Sequence, residues 1–129
     1  MIVGLGVDLA KISRFEKLLD KYGERAAEKI LAPVEIVRWQ QAARPAAYIA
    51  KRWAVKEALG KALGTGIAHG ITLPQIAVVS GAGGAPQLAL TGAAAVAVAA
   101  RGVDHTYLSI SDEGEYAVAV VVLEKSAVD

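Results

Sequence analysis

The spacing of apolar residues changes along the chain, and each change marks an element. Ile2 to Val7 is a short apolar run punctuated by Gly4 and Gly6, which suits a buried strand that ends at Asp8. From about Lys11 to Tyr22 the residues Ile12, Phe15, Leu18, Leu19 and Tyr22 recur at helical spacing, and Gly23 breaks or bends the run. The polar positions of this segment are sorted as well. At about 100° per residue, Arg14, Lys17, Lys21 and, if the helix direction survives Gly23, Arg25 form one stripe; Glu16, Asp20 and Glu24 form another. Helix and turn continue through Ile30, Pro33 starts a short helix that carries Glu35 and Trp39, and Pro45 opens the longest helix, to about Leu63. After Gly64 the loop GTGIAHGITLP leads to a strand over QIAVVS, the turn GAGGAP and a short strand around QLAL, together a hairpin. Thr91 is placed to N-cap the alanine-rich helix GAAAVAVAARG, which Gly102 stops. HTYLSISDEGEYAVAVVVLEK reads as two strands around an acidic turn, Asp112 to Glu115; the second strand is apolar on both faces and therefore central. Helices first and strands concentrated later predict an α+β domain, with helices packed on a small antiparallel sheet.

Composition narrows this picture. With 129 residues and no linker-like stretch, the chain reads as one domain, 1–129. Hydrophobic residues make up 54%, but much of that is alanine, so the core is expected to rest on Leu, Ile and Val and to be small enough to gain from oligomer formation. A formal charge of +1 gives no global polyanion signature and argues against nucleic-acid or membrane partners in the absence of a local patch. Cysteine is absent, which excludes disulfides, thiolate nucleophiles and cysteine-based zinc sites. The first residues lack a basic n-region, and no apolar run approaches the roughly 20 residues that span a bilayer, so the expectation is a soluble, cytoplasmic protein.

Candidate chemistry concentrates in KRWAVKEALGKALGTG, Lys51 to Gly66. Glu57 and Lys61 are four apart on the long helix, with Trp53 one turn earlier. Alone, this is an exposed pair worth about 0.3–0.5 kcal/mol. Gly60 and Gly64 lie on or beside the same face, each helix-interior glycine costing roughly 1 kcal/mol against alanine, which makes sense if a ligand or another element approaches the backbone closely. Lys56 and Arg52 add positive charge beside a single acid, an arrangement suited to an anion plus a divalent cation that bridges it to a carboxylate. Asp8 is a candidate second carboxylate, since magnesium favours one or two protein carboxylates and completes its shell with water and phosphate oxygens. The plain alternative for Asp8 is an N-cap or turn acid.

GLGVDLAKISRF and KRWAVKEALGKALGTGI, followed by GGAPQL and SISDEGEYAVAVVVLE, closely resemble the holo-acyl-carrier-protein synthases, the small bacterial phosphopantetheinyl transferases, essentially end to end. The resemblance implies a homotrimer with active sites shared between neighbouring subunits. It also implies a transferase that moves the phosphopantetheine arm of coenzyme A onto a serine of apo acyl carrier protein, releasing adenosine 3′,5′-bisphosphate. By motif, Asp8 and Glu57 would ligate magnesium, and Lys61, with Arg52 and Lys56, would hold phosphates. The loop at Gly64 and Thr65 and the turn carrying Gly84 and Pro86 would lie close to the nucleotide, and His105 would reach a phosphate or the adenosine, or else be a surface or packing residue. Acidic carrier proteins would dock on Arg14, Lys17, Lys21 and Arg25; the alternative is a solvated face balanced by its acidic neighbour stripe. Many members have Phe where this chain has Trp53, and His where it has Asp112. The serine's base stays open among a metal-bound water, Glu57, and a water held by another carboxylate, with Glu35 and Asp112 as further acids. Rival readings are the same reaction on a polyketide or peptide synthase carrier, and a non-catalytic module that binds coenzyme A or the carrier.

Overall fold

A computed structural model describes residues 1–127. Strand β1 (Ile2–Lys11) leads into helices α1 (Ile12–Tyr22), α2 (Glu24–Ile30), α3 (Pro33–Trp39) and α4 (Pro45–Leu63). A 3-10 turn over Leu73–Gln75 precedes the hairpin of β2 (Ile76–Ser80) and β3 (Pro86–Leu90), then helix α5 (Gly92–Ala100) and strands β4 (His105–Glu113) and β5 (Tyr116–Glu124). The larger sheet is antiparallel in the order β1-β5-β4, so β5 is central as its sequence predicts; β2 and β3 form a second, two-stranded sheet. The α+β architecture is the expected one.

Helix α4 organises the domain. Proline at its first turn fixes φ where no N–H bond is lost, and Gly64 ends it in the left-handed conformation (φ 79°). Most of its circumference is buried, including Ile49, Val55, Leu59 and Leu63. Its alanines are buried too. Ala54, Ala58 and Ala62 face the sheet side of the core, and of the 27 buried apolar residues among those described, 13 are alanine. The core therefore does not rest on Leu, Ile and Val alone: alanine lets backbones approach.

The strand β1 shows why. Its inward residues are Gly4, Gly6, Asp8 and Ala10, and its outward residues are Leu5, Val7 and Leu9, at 66%, 54% and 62% exposure. A side chain on Gly4 would overlap the carbonyl oxygen of Ala62, and one on Gly6 that of Ala58. The strand thus rides directly on the helix backbone. It also runs on through Asp8 to Lys11 instead of ending there, because the alternation continues and Asp8 falls on the helix-facing side. Asp8 is neither an N-cap nor a turn acid; Lys11 holds the N-cap position of α1.

Two other expectations change. Gly23 (φ 58°, ψ −140°) separates two helices, so the direction of α1 does not carry over to Arg25. Thr91 occupies the N-cap position of α5 without a side-chain cap bond; Gln75 Oε1 accepts the Ala94 N–H instead, at 3.0 Å. No helix among the described residues is long and apolar enough to cross a membrane.

Candidate functional site

The close approach of β1 to α4 brings Asp8 to the middle of the helix. Lys61 Nζ donates to Asp8 Oδ1 at 2.9 Å and to the carbonyl of Val7 at 3.1 Å, so Lys61 pairs across to the strand and not with Glu57 on its own helix. Burial pushes the Glu57 carboxyl above its ordinary range, the Asp8 carboxylate pushes it further, and Lys61 and Arg14 pull it partly back. Two carboxylates and a lysine, 53 residues apart in sequence at their closest bond, thus share one electrostatic site. The donor set fits magnesium: two hard oxygen donors of like charge that repel each other in the absence of a cation, with room in the coordination shell for water and phosphate oxygens. Gly64 and Thr65 follow on the same side of α4, about 10 Å beyond Glu57 along its axis.

A second group lies round the helix. Arg52 precedes Glu57 by five residues, which turns it roughly 140° away. Its guanidinium stacks on the Tyr48 ring at 4.3 Å, and its Nε is buried with no hydrogen-bond partner. Arg52 lines a cleft of about 230 Å³ together with Arg38, Lys51, Gly84, Pro86 and Asp112. The sequence-predicted Arg52, Gly84 and Pro86 therefore meet, apart from the carboxylates. Gly83 and Gly84 have positive φ (69° and 79°), which builds the tight turn at the cleft's edge. His105 does not join them. It starts β4 opposite Glu124, seven residues and roughly 23 Å along the strand from Asp112.

Lys56 is a correction. Expected among the phosphate-holding cations, it is 0% exposed and lies inside the protein. Its Nζ donates to Glu35 Oε1 at 2.7 Å, to the Leu73 carbonyl at 3.1 Å and to the Ile76 carbonyl. Glu35, also 0% exposed, accepts in addition the N–H groups of Ala32 (2.9 Å) and Val78 (3.0 Å). Desolvation holds the Lys56 amine below its ordinary range, against the upward pull of Glu35. Each member is satisfied, so the pair ties α3 and α4 to the start of β2, and Glu35 is no candidate base. A signal was present in the sequence: Lys56 lies seven residues after Ile49 and seven before Leu63, on an apolar stripe. Gly60 likewise serves packing, because a Cβ there would stand 2.9 Å from the backbone of Gly66.

The basic stripe is partly assembled. Arg14, Lys17 and Lys21 line one shallow depression with Leu18 and Tyr22. Arg25, beyond the break at Gly23, lines a neighbouring groove of about 600 Å³ with Leu18, Tyr22, Lys29 and Trp53. Trp53 packs its ring 5.7 Å from Phe15, and Arg14 sits 4.7 Å above it, which links the stripe to the Glu57 site.

Comparison with known proteins gives the family of the chain. The family model of the 4′-phosphopantetheinyl transferase superfamily matches residues 4–121. The holo-[acyl-carrier-protein] synthase of Halorhodospira halophila is 47% identical over 123 residues, 95% of this chain and 98% of that one. Among solved structures, the holo-[acyl-carrier-protein] synthase of Neisseria meningitidis superposes with a TM-score of 0.90 at 38% identity, covering 97% of this chain and 100% of that one. A Bacillus anthracis holo-(acyl-carrier-protein) synthase in complex with CoA (3′,5′-ADP) superposes with a TM-score of 0.79 at 37% identity, covering 98% and 99%.

Proposed function

The chain belongs to the 4′-phosphopantetheinyl transferase superfamily, and on that premise we propose that it transfers the 4′-phosphopantetheine arm of coenzyme A to a serine of apo acyl carrier protein, with magnesium bound by Asp8 and Glu57. The observation that carries this reading is the meeting of Asp8, Glu57 and Lys61 where β1 crosses α4.

In the reaction the serine Oγ forms a bond to the phosphorus that bears the pantetheine arm, and the bond to the 5′-phosphate oxygen breaks, which releases adenosine 3′,5′-bisphosphate. Magnesium, when bound, offsets the charge that grows on the leaving phosphate. The protein's own groups do the rest. Lys61, already at the Asp8 carboxylate, is within reach of a phosphate oxygen placed there and holds it as a flexible point charge. The serine proton passes to Glu57 or to a water held at the Asp8 and Glu57 carboxylates, the acids that meet at this site. Arg14 lies at the end of the basic stripe nearest Glu57, so an acidic carrier docked along Arg14, Lys17 and Lys21 would present its serine toward that carboxylate.

Arg52, Gly84 and Pro86 hold the nucleotide end. They lie round α4 from Glu57 in the same chain, so the site is completed by a neighbouring copy in a homotrimer. The outward face of the β1-β5-β4 sheet supports this. Leu5, Val7 and Leu9 are exposed there, in register with the half-buried Val122, Val120 and Val118.

Transfer is tested by the carrier's mass shift in the presence of magnesium, with chelator, and with Glu57→Gln. A magnesium-dependent shift that the substitution abolishes supports the reaction and the metal role together; no shift from folded protein with a competent carrier overturns it. Mixing Asp8→Asn chains with Arg52→Ala chains separates the oligomer question, since a shared site regains activity in mixed trimers and a single-chain site does not.

A further inference from the structure

The cationic cleft contains one acid. Asp112, on the inward face of β4 near its end, has Oδ2 3.6 Å from Arg44 Nη1 and Oδ1 3.7 Å from Lys51 Nζ. Arg38 and Arg52 line the same cleft, so a single carboxylate shares it with three cations, and Arg44 reaches that carboxylate from outside the lining. Neither contact is a tight bidentate pair. Arg44 is 63% exposed, and the other two side chains are about one-third exposed, the regime in which an ion pair is weak and exchangeable. Arg52, by contrast, is fixed by its stacking on Tyr48 and does not depend on Asp112.

We propose that Asp112 is the resident counter-ion of this cleft: it occupies Arg44 and Lys51 when no anion is bound and competes with a phosphate for them, so that the nucleotide product is held reversibly. The inference rests on the reading that the nucleotide end of coenzyme A enters this cleft. An arriving phosphomonoester must separate Asp112 from its two cations and then lie beside a like charge, and both effects weaken its binding. The cleft's cations without that acid would retain a multiply charged product, whereas the same cations with it let the product go. Asp112 touches the cations and not the reacting atoms; it is a positioning residue.

The test is calorimetric binding of adenosine 3′,5′-bisphosphate to the full-length protein, to Asp112→Asn and Asp112→Ser, and to Arg52→Ala, over a range of salt concentrations, with folding checked by circular dichroism. The asparagine and serine variants are expected to bind about three- to tenfold more tightly than wild type, with a steeper loss of affinity as salt rises. A purely structural role of Asp112 would weaken binding and leave the salt slope unchanged. If Arg52→Ala weakens binding but the Asp112 variants bind as wild type or worse, the counter-ion role is overturned and the cleft assignment stands. If Arg52→Ala binds as wild type, the cleft assignment fails and the counter-ion role falls with it.

Discussion

Substituting Gly6 by alanine adds one methyl group at the point where β1 rests on α4. The new Cβ would overlap the carbonyl oxygen of Ala58 and stand 2.8 Å from the amide nitrogen of Ala62. Since non-bonded contacts are comfortable near 3.5 Å, relieving the Ala62 contact alone takes a retreat of about 0.7 Å, and the closer overlap with the Ala58 oxygen demands more. Both obstacles are helix backbone, so no side-chain rotation relieves them. Overpacking of this kind costs about 1–3 kcal/mol. The functional loss is larger in proportion, because Asp8 sits two residues along the same inward face and moves with the strand while Glu57 and Lys61 stay on the helix. A shift on the order of 1 Å in a reacting constellation can cost about a hundredfold in rate. Gly6→Ala is therefore expected to lower the urea midpoint measurably and to reduce kcat/KM by about 10- to 100-fold, with weakened magnesium dependence in the fraction that remains folded. A variant with the wild-type midpoint and wild-type turnover would refute the claim that strand–helix spacing governs the site.

Three further outcomes follow from the geometry. Lys56→Met leaves the buried Glu35 carboxylate without its cation and should cost about 3–5 kcal/mol in urea unfolding, whereas pairing it with Glu35→Gln should recover a substantial part; additive losses would contradict the coupling. Glu57 is raised in the folded state from an ordinary value of 4.5, so its favourable contribution is complete below that pH and lost as pH rises through the folded value. In metal-free protein at about pH 7, Glu57→Gln should thus melt no lower than wild type, and any advantage should vanish in acid; a destabilised variant at neutral pH would count against the repulsion from Asp8. Reversing charge at Lys17 and Lys21 should raise the KM for the carrier while leaving coenzyme A binding alone, and the loss should shrink at high salt; equal effects on both substrates would argue for a plain solvated face.

Much of the fold was legible because its punctuation is local. Pro33, Pro45, Gly64 and Gly102 act within one turn of themselves, and the helix limits they imply are close to those observed. The central position of β5 followed from apolar residues on both its faces. Illegible features depended on partners far along the chain. Lys56 read as a phosphate-holding cation because, although its apolar stripe hinted at burial, its partner Glu35 lies 21 residues away and Val78, which shares Glu35, another 22 beyond Lys56. Asp8 looked like a strand end because the sequence alone did not reveal that its inward side faces a helix stripped to alanine. The separation of Arg52 from Glu57 was implicit in helical geometry, but its importance depended on where the β2–β3 turn folds back.

The seam between β1 and α4 has a consequence for how such a chain can change over generations. Its spacing is set by atoms that are absent: Gly4 and Gly6 on one side, Ala58 and Ala62 on the other. A saturation mutagenesis survey would find these positions as intolerant as Asp8 and Glu57, although they carry no reactive group. Drift toward larger residues is closed there, and a compensating side-chain change on the facing helix cannot reopen it, because the nearest atom each glycine meets is main chain that every amino acid shares.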